Sequence, residues 1–537
     1  MKKRKAHLLW IVTKKRMKWP RKGMRRMKAA VTVNQRSDEI KNWLEKFNLG
    51  SVVFCAFGSE WILEKGQFQK LVLGFEDTNL PFLVAVKPPK GTNSVEEAFQ
   101  KGFQERLANE FAKRGHTVSF LLPKTARLRL SNANLHPRLI TFRTLSVPHV
   151  KGLPYGAETT SDTDNSLALS SAMDEMQEQV KAVLAEEKKP DIIFFDFANW
   201  IPNLASEIGC KAVFFSVVSP AIAAITLLIS TSKEKLLTVS DVMEYLPNYP
   251  SSNAPVLRKN EARALAVYAN QPNNWMIEFL SKGVIGAKQS DALAVRACRE
   301  MEGAHCDHLS VLYKKPVFCT GPLFPEPTDE PLDDKISNFL KKFGSASVVF
   351  CSFGSELFLD FSQFQELVLG LELTGLPFLL AGTKPPKGTT SIQDALPEGF
   401  QERVREKAVL YEGWVPQTQI LRHTSIGCFV SHGGSASMWE SIVSDCQIVF
   451  VPTRGDYCMN SRLMAVELQL AVEVEMDENG GFSKESLSRG VKAAMGDDSE
   501  VGGQLKKNHK RWRDVFLSNG FADNYIGKFI RDLEKLL

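Results

Sequence analysis

The stretch IGCFVSHGGSASMWESIVSDCQIVFVP, Ile426 to Pro452, holds the fold in miniature. Two short apolar runs, IGCFVSH and CQIVFVP, flank a glycine pair and an amphipathic segment, SMWESIVSD. Unbroken apolar runs bounded by turn residues read as strands buried on both faces. A helix joining two such strands is a crossover connection, which makes the strands parallel. The same alternation recurs in LANEFAKRGH with TVSFLLP, and in KPDIIFFDFA, NWIPNLASEIG and KAVFFSVV. An α/β chain with mainly parallel sheets is therefore predicted throughout.

Working outward, part of this pattern occurs twice. Ile40 to Leu107 aligns with Ile336 to Val404 with one inserted residue, Thr383, and 42 of 68 positions are identical. Each copy reads as a strand (SVVFC), a glycine turn (FGS), a helix and a second strand (LPFLVA or LPFLLA). Over 200 unrelated residues separate the copies, so they cannot bury each other's faces as solenoid repeats do. The first copy is a displaced duplicate. LPFLVAV, within it, is a candidate for the first strand of the sheet that contains TVSFLLP. Between the two strand and helix series, TGPLFPEPTDEPLDD (Thr320 to Asp334) has four prolines and five acids and reads as a linker.

Composition narrows the function classes. The chain has 537 residues, 44% hydrophobic and 24% charged, with a formal charge of +6. Met1 to Ala30 holds 13 Lys and Arg and no acid; the rest carries more acid than base. Such a block reads as a solvated, disordered tail, with a nucleic-acid or membrane arm or a transit peptide as alternatives. A secretory signal is disfavoured because the apolar run Leu8 to Val12 is short. The run VFFSVVSPAIAAITLLIS is interrupted by Ser216, Ser219 and Pro220, so a buried strand and a core helix are expected there rather than a membrane span. Nine cysteines without CxxC pairs suggest neither a disulfide framework nor a zinc site. A cytoplasmic location is the resulting expectation.

The chemistry concentrates in Trp414 to Asn460. The strand ending at His432 meets Gly433 and Gly434, then a helix that opens with Ser435 and Ser437. Free N–H groups and the positive dipole end at a helix start attract phosphate, and His432 adds a donor. The plain alternative is a glycine turn with a structural histidine. Both the phosphate-loop lysine signature and GxGxxG are absent, which disfavours ATPase and dehydrogenase readings.

Trp414, Gln417, His432, Glu440 and Asp456 stand at the spacing of the signature box of plant family 1 UDP-dependent glycosyltransferases. The chain resembles that family from about Leu107 to its C-terminus. FFDFANWIPNLA, SVVFCSFGSE and WESIVSDCQIVFVP resemble most the branch that adds a sugar to flavonoid or anthocyanin glycosides. The resemblance implies a GT-B fold, two Rossmann-like domains with mainly parallel sheets facing a central cleft. It implies inverting transfer of a sugar from a UDP-sugar to a hydroxyl of a small-molecule acceptor, without metal or further cofactor, by a monomer that binds no nucleic acid. Trp414 would stack on uracil and Gln417 meet the ribose and base edge. Glu440 would accept from the ribose hydroxyls, and Ser355, His432 and Ser437 would hold the diphosphate. Asp456 and Tyr457 would meet the donor sugar.

The implied organisation is a disordered basic leader over 1–36 and a duplicate over 37–106 of the segment 333–403. Next come an acceptor domain over 107–319, the linker 320–334, a UDP-sugar domain over 335–515 and a C-terminal helix over 516–537. Three departures from the family stand out. Ser435 and Ala436 replace Trp-Asn, Tyr457 replaces Gln or His, and the catalytic histidine after the first strand has no match. Asp196 matches the aspartate that orients that histidine, with a helix N-cap as its alternative role. His116, His136 and His149 are poor substitutes for the base, and Lys87 and Lys90 are protonated near neutrality unless buried. A catalytically inactive nucleotide-sugar-binding relative is the rival reading.

Overall fold

The computed structural model describes residues 9–13, 53–56, 82–85 and 103–537, except 125, 128–133, 159–165, 187, 217, 232–235, 245–256, 272–274, 325–331, 355–358, 384, 387, 413–414, 454 and 497–499. By internal contacts the chain divides after Asp191 into two units.

In the first unit, strands β1 (Leu9–Thr13), β2 (Val53–Ala56), β3 (Phe82–Ala85), β4 (Thr117–Pro123) and β5 (Ile140–Leu145) are formed. β4 and β5 run parallel, Val118 opposite Ile140 and Pro123 opposite Leu145. The helix Phe103–Lys113 precedes β4 and buries Leu107, Ala108, Phe111 and Ala112, one face at helical spacing. It stops at Gly115, whose φ of +91° suits glycine.

Two expectations are corrected by this unit. The basic leader is not wholly a disordered tail: its LWIVT segment is β1, antiparallel to β4 with Leu9 opposite Leu121 and Thr13 opposite Thr117. Five apolar or β-branched residues suffice for a strand when a buried partner offers its free edge, whatever the charge of the flanks. LPFLVAV does not take the place beside β4 either. Its Phe82–Ala85 pairs in parallel with Val53–Ala56, within the duplicated segment itself, in the same parallel manner as the original pair Val349–Cys351 and Phe378–Leu380.

The second unit contains two parallel sets of strands. β6 (Ile192–Phe195), β7 (Lys211–Ser216), β8 (Ala292–Val295) and β9 (Val317–Cys319) pair in that order. The long apolar run resolves as β7 and the helix Pro220–Thr231, and no helix among the described residues is long and apolar enough to cross a membrane.

The other set comprises β10 (Val348–Ser352), β11 (Phe378–Ala381), β12 (Ala408–Tyr411), β13 (Ile426–Ser431), β14 (Gln447–Phe450) and β15 (Val472–Glu473). Their order in space is β12-β11-β10-β13-β14-β15, all parallel. Alternate residues feed opposite layers, as the period of two requires. Val349, Cys351, Cys428 and Val430 pack with Phe364, Leu367, Leu371, Leu487 and Val491. Phe350, Phe429 and Leu379 pack with Phe339, Ile420 and Leu421 on the other face.

The chain builds outward from β10 in one direction and from β13 in the other. Between those neighbours lies the topological switch point, where the loops at the carboxyl ends part and leave a crevice. The chain ends in the helices Glu500–Phe516 and Phe521–Glu534, separated at Gly520 with φ +82°. Phe516 stacks on Trp512 and meets Trp439 and Phe521 edge to face, and Tyr525 accepts the Arg299 backbone N–H at 2.8 Å while donating to Glu300.

Candidate functional site

The crevice is built from the turns that leave β10 and β13. Ser352 and Ser431 lie opposite one another at the strand ends, so Phe353-Gly354 and His432-Gly433 emerge side by side. Gly354 has φ +68° and Gly433 φ +85°. The chain turns at Gly433, reaches extended backbone at Gly434 (φ −62°, ψ 143°) and enters the helix Ser435–Ile442. No side chain caps that helix, and the first intrahelical bond runs from the Met438 N–H to the Gly434 carbonyl. The N–H groups of Ser435, Ala436 and Ser437 therefore face out of the helix start, a natural anion cradle.

His432 is 7% exposed. Its ring meets Tyr457 edge to face at 4.5 Å and lies 6.2 Å from Phe353. A Cβ at Gly354 would sit 3.2 Å from its Cε1, and one at Gly434 only 2.5 Å from its Nε2. Two glycines and one phenol thus box the imidazole at the mouth of the crevice. Only residues without a side chain fit at both turns.

Ser437 and Glu440, one helical turn apart, share the face of their helix that looks toward Gln417. The Gln417 amide donates to Glu440 Oε2 at 2.8 Å and to Ser437 Oγ at 3.2 Å. Trp439 and Ile442, on the opposite face, are buried with Phe516 and Phe450. This burial fixes the rotation of the helix. A polar row of Gln417, Ser437 and Glu440 results, with Glu440 half-buried and its second oxygen available to a hydroxyl donor.

Asp456 and Tyr457 open the helix Asp456–Arg462, beyond Gly455 with φ +59°. On the same face as Asp456, Asn460 is buried and donates to the Gly433 carbonyl at 2.9 Å. Asn460 escaped the sequence reading, although its spacing of four from Asp456 places both on one side of a helix. The amide ties the Asp456 helix to the turn below the anion cradle.

The structure thus gathers His432 with Tyr457, and Gln417 with Ser437 and Glu440, around one switch point. Ser355 and Trp414 lie outside the described residues. Asp196 belongs to the other strand set, at the carboxyl end of β6, and is 9% exposed. Its Oδ1 accepts the Phe197 N–H at 2.7 Å, whereas the next helix along the chain, Ile201–Ile208, has Trp200 at its N-cap. The N-cap alternative for Asp196 is therefore set aside. Of the substitute histidines, His116 packs against Phe111 behind its helix end, and His136 sits in the turn leading to β5.

Residues 326–509 match the family model described as UDP-glucoronosyl and UDP-glucosyl transferase. The chain is 47% identical over 434 residues to UDP-glycosyltransferase 79B6 of Arabidopsis thaliana, covering 80% of this chain and 94% of that protein. It is 46% identical over 440 residues to anthocyanidin 3-O-glucoside 2'''-O-xylosyltransferase of the same plant, covering 80% and 93%. Among solved structures, Os79 from O. sativa in complex with UDP superposes with a TM-score of 0.59 at 18% identity, covering 73% of this chain and 89% of that one. UGT89C1 of Arabidopsis thaliana complexed with UDP-L-rhamnose gives 0.60 at 20% identity, covering 80% and 94%.

Proposed function

The chain belongs to the UDP-glycosyltransferases of plant family 1 and has their GT-B fold, and from that premise we propose how its own residues handle the two substrates. The reaction is transfer of a sugar from a UDP-sugar to a hydroxyl. We assign the acceptor to the flavonoid or anthocyanin glycosides, the class named for one of its relatives.

The observation that carries the donor assignment is the amide-lined start of the helix Ser435–Ile442 beside the boxed His432. A diphosphate placed there meets three backbone N–H groups, the helix dipole, Ser437 and the imidazole. As the glycosidic bond breaks, negative charge grows on the β-phosphate, and donors already aimed at it need no reorganisation. With Ser435 and Ala436 in place of Trp-Asn one side-chain donor is lost, so more of the burden falls on the dipole and His432. Ser355 is assigned to the same group by its place in the sequence. Trp414 is assigned to uracil by its place in the signature spacing. Glu440, held by Gln417, accepts from the ribose hydroxyls, and Asp456 and Tyr457 receive the sugar hydroxyls.

The acceptor oxygen attacks the anomeric carbon with inversion as the bond to the UDP oxygen breaks, and its proton passes to water. Asp196 keeps the place of the orienting carboxylate, whereas no histidine stands at the family's position. The relatives at 47% and 46% identity carry the names of transferases, and none of them favours the inactive alternative. The proposal is completed by a monomer in the cytoplasm, with the UDP-sugar as co-substrate and neither metal nor cofactor.

The test is calorimetry with UDP, then UDP release from UDP-glucose and UDP-xylose with flavonoid glycosides. Saturable UDP binding and acceptor-dependent release are expected. Absence of UDP binding at millimolar concentration refutes the donor site, and binding without release refutes the transfer.

A further inference from the structure

The helix Asp456–Arg462 is seven residues long. Its first turn carries the donor-sugar side chains, and its last residue is a buried arginine. Arg462 Nη2 lies 2.8 Å from Glu261 Oε1 and 3.0 Å from Glu473 Oε1, and its Nε lies 3.1 Å from Glu473 Oε2. Arg258 adds a contact of 3.2 Å to Glu473. The side chains of Arg462 and Glu473 are each 5% exposed and that of Glu261 is 13% exposed.

The two carboxylates have different origins. Glu473 ends β15, in the same sheet as the nucleotide crevice. Glu261 lies in the helix Lys259–Ala269, 201 residues away in sequence and part of the half built on β6 to β9. Met459 makes the same crossing in apolar form, buried in one core with Ala221, Ile225 and Leu228 of the helix Pro220–Thr231. Asn460 holds the intervening turn to the Gly433 carbonyl.

A short helix moves as a rigid body, so whatever holds Arg462 also sets Asp456 and Tyr457. A bidentate guanidinium buried between two carboxylates is geometrically strict, because each lost partner leaves an uncompensated charge. We propose that the Arg462–Glu261 pair is a positioning contact: the acceptor half of the protein uses it to set the height of Asp456 and Tyr457 over the donor sugar. This rests on the donor-site reading and adds to it a source of sugar discrimination outside the sugar pocket.

Glu261 also accepts the Arg258 N–H at 2.7 Å as the glutamate of a capping box. Glutamine keeps that cap and removes only the charge, leaving Glu473 alone to face Arg462 and the more exposed Arg258. Glu261→Gln in the full chain therefore isolates the bridge. UDP and UDP-glucose affinities are measured by calorimetry on wild type, Glu261→Gln and Arg462→Lys. In both variants UDP-glucose binding is expected to weaken about tenfold while UDP binding stays within about twofold, since misplacement by an ångström is costly only where geometry is exacting. Equal loss for both ligands means a merely structural role and overturns the proposal, as does no loss for either in a folded variant. Wild type that binds neither ligand overturns the donor-site reading itself, and this inference with it.

Discussion

Replacing Gly434 by alanine adds one methyl group against the ring of His432. The backbone tolerates the change, because φ at Gly434 is −62°. The added carbon would lie 2.5 Å from Nε2 and 3.1 Å from Cε1 of the imidazole, far inside van der Waals contact. The ring has little room to yield: Tyr457 meets it at 4.5 Å, and the Gly354 turn closes the other side. Overpacking of this kind costs about 1–3 kcal/mol. If the strain is relieved by pushing the imidazole off the phosphate position, that cost appears in binding, as a loss of roughly 5- to 150-fold in UDP affinity. Calorimetry with UDP measures it, with urea unfolding alongside to separate the share that falls on stability. Gly344→Ala is the control, since a Cβ there meets nothing within 4 Å. Wild-type UDP affinity in folded Gly434→Ala would refute the placement of the diphosphate at this turn.

Three further outcomes are expected. Asn460→Ala removes the buried amide that holds the Gly433 carbonyl and should cost about 1–3 kcal/mol in urea unfolding; a change below about 0.5 kcal/mol contradicts it. Glu302 is fully buried with both carboxylate oxygens unpartnered, and burial pushes its carboxyl from 4.5 to about 8. The folded value is raised, so stability is fully present below pH 4.5 and is lost as the pH rises toward 8. Glu302→Gln should flatten that decline, with a relative gain of about 3 kcal/mol between about pH 4 and pH 7; parallel stability curves for the two proteins refute it. Tyr525→Phe deprives the Arg299 N–H of its acceptor and should lower stability by about 1 kcal/mol without changing UDP affinity, so a change in affinity alone refutes its structural role.

Much of this was legible from residue order. Apolar runs bounded by glycine marked β13 and β14, and the Gly433-Gly434 pair before a helix marked the anion cradle. Ser437 and Glu440 share a face because they stand one helical turn apart, whereas Gln417, on another helix 20 residues earlier, was joined to them only by the family resemblance. What escaped depends on tertiary partners. LWIVT lies among cations, and only the open edge of β4 makes it a strand. Glu261 and Arg462 are joined across 201 residues, a separation at which no periodic signal survives. His432 was legible as a donor at a strand end, but the fit of its ring between Gly354 and Gly434 was not, because it depends on two turns meeting.

The polarity of β1 has a chemical consequence. It runs against β4, so its carboxyl end, Thr13, stands beside Thr117, where β4 begins. Parallel strands deliver the residues after them to one shared rim, and reactive groups collect there. A reversed neighbour delivers its successors to the far rim, about 16 Å away for five residues. Sheet pairing accepts either direction at small cost, but direction decides the rim: Thr13 ends at the edge where β4 enters, opposite the edge at which β4 itself ends.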